Sequence, residues 1–284
     1  DSQLMIGKSR SLEIAGRRFH FMDWGRSKET ILLIHGDMRT SRSFDAVARR
    51  LANNFRVVAL DLFGHGESDR SESGYKFKDK SENIGQFLRI TGLRKVTAVA
   101  HSSGAVALSL QAKDYPNQFK GLILMEPMLV VDEAFQRMVS KRGSHPRTTW
   151  ATRKELAELL ANHEITKRWS PEVIDDVVNH ETYFNEEGRL DMKWASPTVS
   201  WKERENDYID LLPVLELLAC PTLFISSSQR KNTFAKASEI SVKRKHFSFT
   251  VINNTGHNMY MERPGAVSKL ISTFCLGKKL PKEV

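Results

Sequence analysis

Short β-branched and leucine-rich runs alternate with amphipathic stretches of helix length along most of the chain. Runs at 19–23, 31–34, 57–60, 96–100, 122–125, 222–225 and 249–252 are strand-sized, and helical periodicity fills 41–53, 80–91, 104–115, 234–240 and 266–276 between them. Apolar strands alternating with helices predict a mostly parallel sheet covered on both faces, hence an α/β fold. The runs 12–14 and 19–23 flank Ala15-Gly16, which predicts an antiparallel hairpin leading into the parallel part.

The alternation stops between about Pro127 and Asp210, where helix-like stretches at 154–162 and 171–180 follow each other without a convincing strand. Residues 127–210 are therefore expected to form a helical cap inserted into a core made of 1–126 and 211–284. Trp150, Trp169, Trp194 and Trp201 gather there, and aromatics concentrated in a small insert either pack its own core or roof a pocket. Trp150 and Trp169 are the two assigned to a substrate pocket.

Composition narrows the class. A chain of 284 residues, 40% hydrophobic and 27% charged, can bury a full core without metals or disulfides. No apolar run approaches the roughly 18 residues of a membrane helix, so no membrane span is expected. The net charge of +9 arises from 43 basic against 34 acidic residues. The basic residues are dispersed and lack interleaved stacking aromatics, so the charge reads as a solvated exterior and no nucleic-acid partner is expected. Cys220 and Cys275 lack metal-ligand spacing, and the sequence opens on Asp1 without a charged-then-apolar signal pattern. A reducing, cytoplasmic setting is the expectation.

Ala100-His101-Ser102-Ser103-Gly104 falls where an apolar strand meets a helix. A serine between small residues at that junction suits a nucleophile elbow, whose strained turn lifts the hydroxyl above the sheet and aims the next amide at the site. Three further segments occur in order: His35-Gly36-Asp37-Met38 after the strand at 31–34, the segment from Asp61 to Asp69 (DLFGHGESD) after the next strand, and Asn254-Thr255-Gly256-His257 after the last. With these the chain resembles the α/β-hydrolase superfamily over roughly 12–126 and 205–276.

The resemblance implies a serine-nucleophile member with Ser102 as nucleophile, His257 as base, and the amides of Asp37 and Ser103 as an oxyanion hole. His35, Gly36, Met38 and His101 are expected to line or support the substrate site, while Asp61, Ser68 and Asp69 tie down their loop. His20, His145, His163, His180 and His246 carry no motif and read as surface or packing residues. The family's usual acid position falls in Ser226-Ser227-Ser228-Gln229-Arg230, which has no carboxylate. Glu126 is the favoured substitute, as in branches that place the acid after the preceding strand; Asp132 is the fallback, and the competing role for Glu126 is to anchor the cap hinge. A carboxylate at Asp37 beside the oxyanion hole needs a partner, for which Arg39, Arg42 or a lysine is available.

A serine with a histidine base suits acyl transfer and not the alkyl-ester chemistry of an aspartate nucleophile. Hydrolysis of a carboxylic ester of a small molecule leads, with no cofactor and no metal. The alternatives are a cofactor-independent dioxygenase of this fold acting on a heteroaromatic substrate, and a catalytically weak ligand-binding member. The sequence leaves acyl specificity and oligomeric state open, a homo-oligomer included.

Overall fold

The computed structural model describes residues 6–200 and 202–284; Asp1 and Trp201 lie outside them. The first half supplies β1 (Lys8–Ile14), β2 (Arg17–Trp24), β3 (Thr30–Ile34), α1 (Asp45–Leu51), β4 (Arg56–Leu60), α2 (Phe77–Thr91), β5 (Val96–His101), α3 (Ser103–Asp114) and β6 (Phe119–Met125). An insert follows, with β7 (Val130–Val131), α4 (Glu133–Gly143), α5 (Arg153–Asn162), α6 (Pro171–His180), β8 (Thr182–Phe184), β9 (Leu190–Met192) and β10 (Ile209–Asp210). The chain closes through α7 (Leu212–Glu216), β11 (Thr222–Ser227), α8 (Ala235–Lys243), β12 (Phe247–Ile252), α9 (Met259–Glu262) and α10 (Pro264–Cys275).

Eight strands form one sheet in the order β1-β2-β4-β3-β5-β6-β11-β12. The pairs β1–β2 and β2–β4 are antiparallel and the remaining five are parallel. The period-2 pattern of the strands explains the two cores. Leu32, Ile34, Val58, Leu60, Ala98 and Ala100 face α2, α3 and α8, whereas Ile31, Leu33, Val57, Ala59 and Val99 face α1 and α10. Burying each such valine, leucine or isoleucine contributes about 1.5–3 kcal/mol relative to exposure, which fixes register because a one-residue slip would exchange the two faces. Among the described residues no helix is long and apolar enough to cross a membrane.

The insert is not purely helical. β7 pairs with β10 and β8 with β9, both antiparallel, so a short ladder joins the two ends of the insert. Strands of two and three residues leave no readable alternation, which is why only helices are expected from sequence. The apolar stripe of α6 (Val173, Ile174, Val177, Val178) and Trp169 join the core face that includes α1. The insert is thereby packed onto the sheet domain.

Parallel strands present their C-terminal ends on one edge, where an open α/β sheet forms its crevice. The turns after β3, β4, β5, β6, β11 and β12 carry Asp37, Asp61, Ser102, Glu126, Ser228 and His257 respectively.

Candidate active site

Ser102 has φ 55° and ψ −122°, a region costly for any residue with a Cβ, and it immediately precedes α3. The strain is held by the surroundings: the Ser102 amide donates to the Met125 carbonyl (2.9 Å), and its own carbonyl accepts from Ala105 and Val106. A Cβ on Gly104 would lie 2.2 Å from the His35 carbonyl oxygen, so the helix can approach β3 this closely only with glycine there. An added Cβ at Gly36 would lie 3.1 Å from the Ser102 Cβ, which puts the turn after β3 against the elbow.

Ser102 Oγ lies 3.1 Å from Nε2 of His257, and Nδ1 of His257 lies 2.8 Å from Oε1 of Glu126. The carboxylate on Nδ1 fixes that nitrogen as the protonated one and leaves Nε2 as acceptor for the hydroxyl. Glu126 is itself in the left-handed region at φ 48° and is buried. Its second oxygen accepts from the Ser227 amide (2.7 Å), the Ser227 hydroxyl (2.6 Å) and the Ser226 hydroxyl (3.3 Å). Burial alone would raise its pKa, but the hydrogen bonds from His257 and Ser227 overcome it and hold the carboxyl below its ordinary range. Ser226 and Ser227, the last residues of β11, thus cradle the carboxylate that follows β6. Arg230 adds a guanidinium 3.8 Å from Glu126 Oε1. Asp132, the fallback, caps α4 by accepting from the Phe135 amide, and it is Glu126 that meets His257 Nδ1.

The turn after β3 is stapled by two neutral histidines. His35 accepts from the Leu62 amide at Nε2 (2.9 Å) and donates from Nδ1 to the Gly36 carbonyl (2.7 Å). His65 accepts from the Met38 amide at Nε2 (3.3 Å) and donates to the Phe63 carbonyl (3.0 Å). Burial lowers both pKa values, that of His65 to about 3 with help from His35. With both nitrogens on backbone and no exposed surface, His35 supports the turn and does not face a ligand. Met38, at φ 64° and 44% exposed, does present its side chain outward.

The Asp37 amide donates to the Ser103 hydroxyl (3.0 Å), bringing it beside the first turn of α3. There the Ser103 amide has no acceptor within its own helix. The Asp37 carboxylate is paired by Lys80 (2.9 Å) and Arg204 (3.0 Å). Arg39 and Arg42, the partners expected from sequence proximity, are committed elsewhere, to Glu181 and Asp45. Burial opposes ionisation of Asp37, but the two cations win and hold its pKa well below the usual carboxylate range. Lys80 carries a legible signal: it falls on the apolar stripe of α2 between Phe77 and Ile84 and is 2% exposed. Arg204, from the insert, carries none.

His101 is buried beside His257, donates from Nε2 to the His257 carbonyl (2.7 Å), and its ring lies 4.5 Å from the His257 ring at an interplanar angle of 44°. It thereby ties the end of β5 to the loop that carries His257, and burial drives its pKa well below normal. Met128, missed by the sequence reading, brings its Sδ to 3.6 Å from Ser102 Oγ. Trp169 is buried under the Arg39 guanidinium (5.1 Å), and half-buried Trp150 pairs its backbone with Leu190. Trp169 belongs to the apolar cluster on the α1 and α10 face of the sheet, and Trp150 packs against it.

The sequence profile described as "Alpha/beta hydrolase family" matches residues 31–270. Human epoxide hydrolase 4 is 25% identical over 287 residues, covering 92% of this chain and 76% of that protein. The 2-(acetamidomethylene)succinate hydrolase of Mesorhizobium japonicum is 29% identical over 118 residues, 42% of each chain. An uncharacterized Mycobacterium tuberculosis protein is 33% identical over 119 residues, and the match spans only 32% of its length. Among solved structures, an E-2-(acetamidomethylene)succinate hydrolase superposes with a TM-score of 0.82 at 21% identity over 95% of this chain and 99% of its own. A thioesterase domain from the curacin biosynthetic pathway gives 0.79 at 21% over 94% and 99%. The superpositions share the fold, and the profile spans most of the described core: the chain belongs to the alpha/beta hydrolase family.

Proposed function

We propose that the protein is a serine hydrolase that cleaves carboxylic esters of small molecules through an acyl-enzyme. The observation that carries this reading is the hydrogen-bonded chain from Ser102 through His257 to Glu126, with the serine in a strained turn at a helix start. Ser102 attacks the ester carbonyl while its proton passes to His257 Nε2; Glu126 stabilises the imidazolium, and the alcohol leaves with the proton. Water repeats the cycle on the acyl-serine. The Ser103 amide and the Asp37 amide supply the oxyanion hole, the latter by exchanging the Ser103 hydroxyl for the developing anion.

Neutralisation of Asp37 by Lys80 and Arg204 supports the scheme, because a free carboxylate there would repel the oxyanion. Arg204 belongs to the insert, so this pair links residues 127–210, acting as a cap, to the floor of the site. Met38 and Met128 provide apolar surface beside the serine. Position 102 holds no carboxylate, so the alkyl-ester chemistry that an aspartate nucleophile permits is not available to it. Ser227 is accounted for by its grip on Glu126. A panel of p-nitrophenyl esters of increasing acyl length, with fluorophosphonate labelling mapped by mass spectrometry, tests the reading. Ester turnover with an adduct on Ser102 is expected; absence of both sinks it.

A further inference from the structure

A second serine–histidine–carboxylate chain lies far from the elbow in sequence and on different strands. Ser9, exposed on the edge strand β1, has its Oγ 2.5 Å from Nε2 of His20 on β2. Nδ1 of His20 lies 2.7 Å from Oδ2 of Asp61, just beyond β4. The order of atoms matches that of Ser102: carboxylate on Nδ1, hydroxyl on Nε2. Asp61 is held by backbone, accepting from the Ser41 amide at Oδ1 (2.7 Å) and the Glu67 amide at Oδ2 (3.0 Å). Burial opposes its charge, but the His20 hydrogen bond and the Glu67 amide hold its pKa below the ordinary value. An ionised Asp61 keeps the imidazole proton on Nδ1, so Nε2 is free to take the serine proton.

All three residues line a cleft of about 420 Å³. Arg10, Arg18, Arg42 and Lys193 stand on its walls with Asp61 and Glu67. Each of the four cations is paired: Arg10 with Asp23 (3.1 Å), Arg18 with Asp69 (4.0 Å), Arg42 with Asp45 (2.8 Å) and Lys193 with Glu67. A hydrogen bond between the edge strands needs only a hydroxyl and an imidazole; the buried carboxylate on Nδ1 is what orients that imidazole as a base.

We propose that Ser9 is a second acyl-accepting serine for small esters, activated by His20 and Asp61. As the bond from Ser9 Oγ to the carbonyl carbon forms, the serine proton moves to His20 Nε2. When the bond to the alcohol oxygen breaks, the alcohol takes that proton, leaving acyl-Ser9; water then releases the acid by the same two transfers. The site is independent of the Ser102 reading.

The test uses the whole chain carrying Ser102→Ala, a fluorophosphonate probe and intact-protein mass spectrometry with peptide mapping. One adduct on Ser9 is expected, absent from the Ser9→Ala/Ser102→Ala protein, which stays folded because Ser9 is an exposed edge residue. His20→Asn in the Ser102→Ala background should slow labelling at least about a hundredfold, the loss of a general base, with a melt that stays cooperative but shifts to a lower midpoint, since the Asp61 carboxylate loses its histidine partner. The single variant Ser9→Ala should keep its adduct on Ser102 and full turnover of neutral esters. In the Ser102→Ala protein, p-nitrophenyl butyrate should likewise leave a butyryl group on Ser9. No adduct without Ser102, or an adduct on another residue, overturns the proposal.

Discussion

Ser102 and Ser9 each meet an imidazole whose other nitrogen faces a carboxylate, and the chain builds the two arrangements in opposite ways. At Ser102 the backbone does the work: positive φ at the serine and at Glu126, a helix start behind the hydroxyl, and a histidine 155 residues away in sequence. At Ser9 the backbone is regular strand, and adjacent β1 and β2 bring hydroxyl and imidazole together. The elbow brings the Asp37 amide and the start of α3 together beside the hydroxyl; the edge site surrounds a solvent-exposed serine with ion-paired side chains. Preorganised amides in a dry site usually supply the largest share of rate. The same three groups should therefore give turnover at Ser102 and mainly slow acylation at Ser9.

The largest effect that would break this contrast is on Ser102 itself. Ser102→Ala should reduce neutral-ester turnover by at least about a thousandfold, the scale seen when a triad serine is lost, while Ser9 labelling is untouched. Near-wild-type turnover in that variant would move the chemistry away from the elbow. Next comes the acid. Glu126→Gln should lower kcat about a hundredfold or more with little change in KM, because it removes an interaction that strengthens only as the imidazolium forms. A rise in KM at constant kcat would make Glu126 a binding residue instead.

Two glycines separate the sites at the level of stability. A Cβ at Gly104 would strike the His35 carbonyl oxygen at 2.2 Å, and one at Gly66 would strike the Asp61 carboxylate at 2.2 Å from a backbone at φ +58°. Each alanine substitution should cost about 1–3 kcal/mol by overpacking. Chemical denaturation gives the cost, and probe mapping gives the specificity. Gly104→Ala should suppress labelling at Ser102 alone and Gly66→Ala at Ser9 alone; equal loss at both serines from either change would show that the sites share one scaffold.

How much of this could be read from the sequence follows from which interactions are local. The parallel strands, the elbow and the turn motifs are runs of adjacent residues, so their patterns predict β3 to β6, β11, β12 and the position of Ser102. Helix α4 escaped notice because Ala134 and Met138 stay exposed, leaving a weak apolar stripe. The acid was inferable as a vacancy in the Ser226 to Arg230 loop, but not the way Ser227 holds Glu126 from two sides. Ser9, His20 and Asp61 sit on or just beyond three strands, and only the β1–β2 and β2–β4 pairings unite them. His20 therefore reads as packing until the sheet is assembled. The pairing of Asp37 with Arg204 spans 167 residues and has no local sign at all.

The smallest effect separates the two acids by pH. Glu126 and Asp61 both have pKa values held below their ordinary positions, in each case by hydrogen bonds that outweigh burial. A carboxyl depressed in the folded chain binds its proton more readily once unfolded, so it stabilises the fold above its unfolded pKa. That contribution is lost as pH falls through the unfolded value, near 4, toward the folded one. Unfolding free energy from urea titrations should thus decline as pH is lowered below about 5. Glu126→Gln and Asp61→Asn should each flatten that decline, because the substituted amide no longer takes up a proton on unfolding. Asp61 accepts from two backbone amides and a histidine in a fully buried position, whereas Glu126 shares its charge with a histidine ring that is 31% exposed. Less solvent screening at Asp61 makes its flattening the larger of the two. A slope unchanged in Asp61→Asn would mean that this carboxylate is not held ionised, and the proton on His20 Nδ1 would lose its anchor.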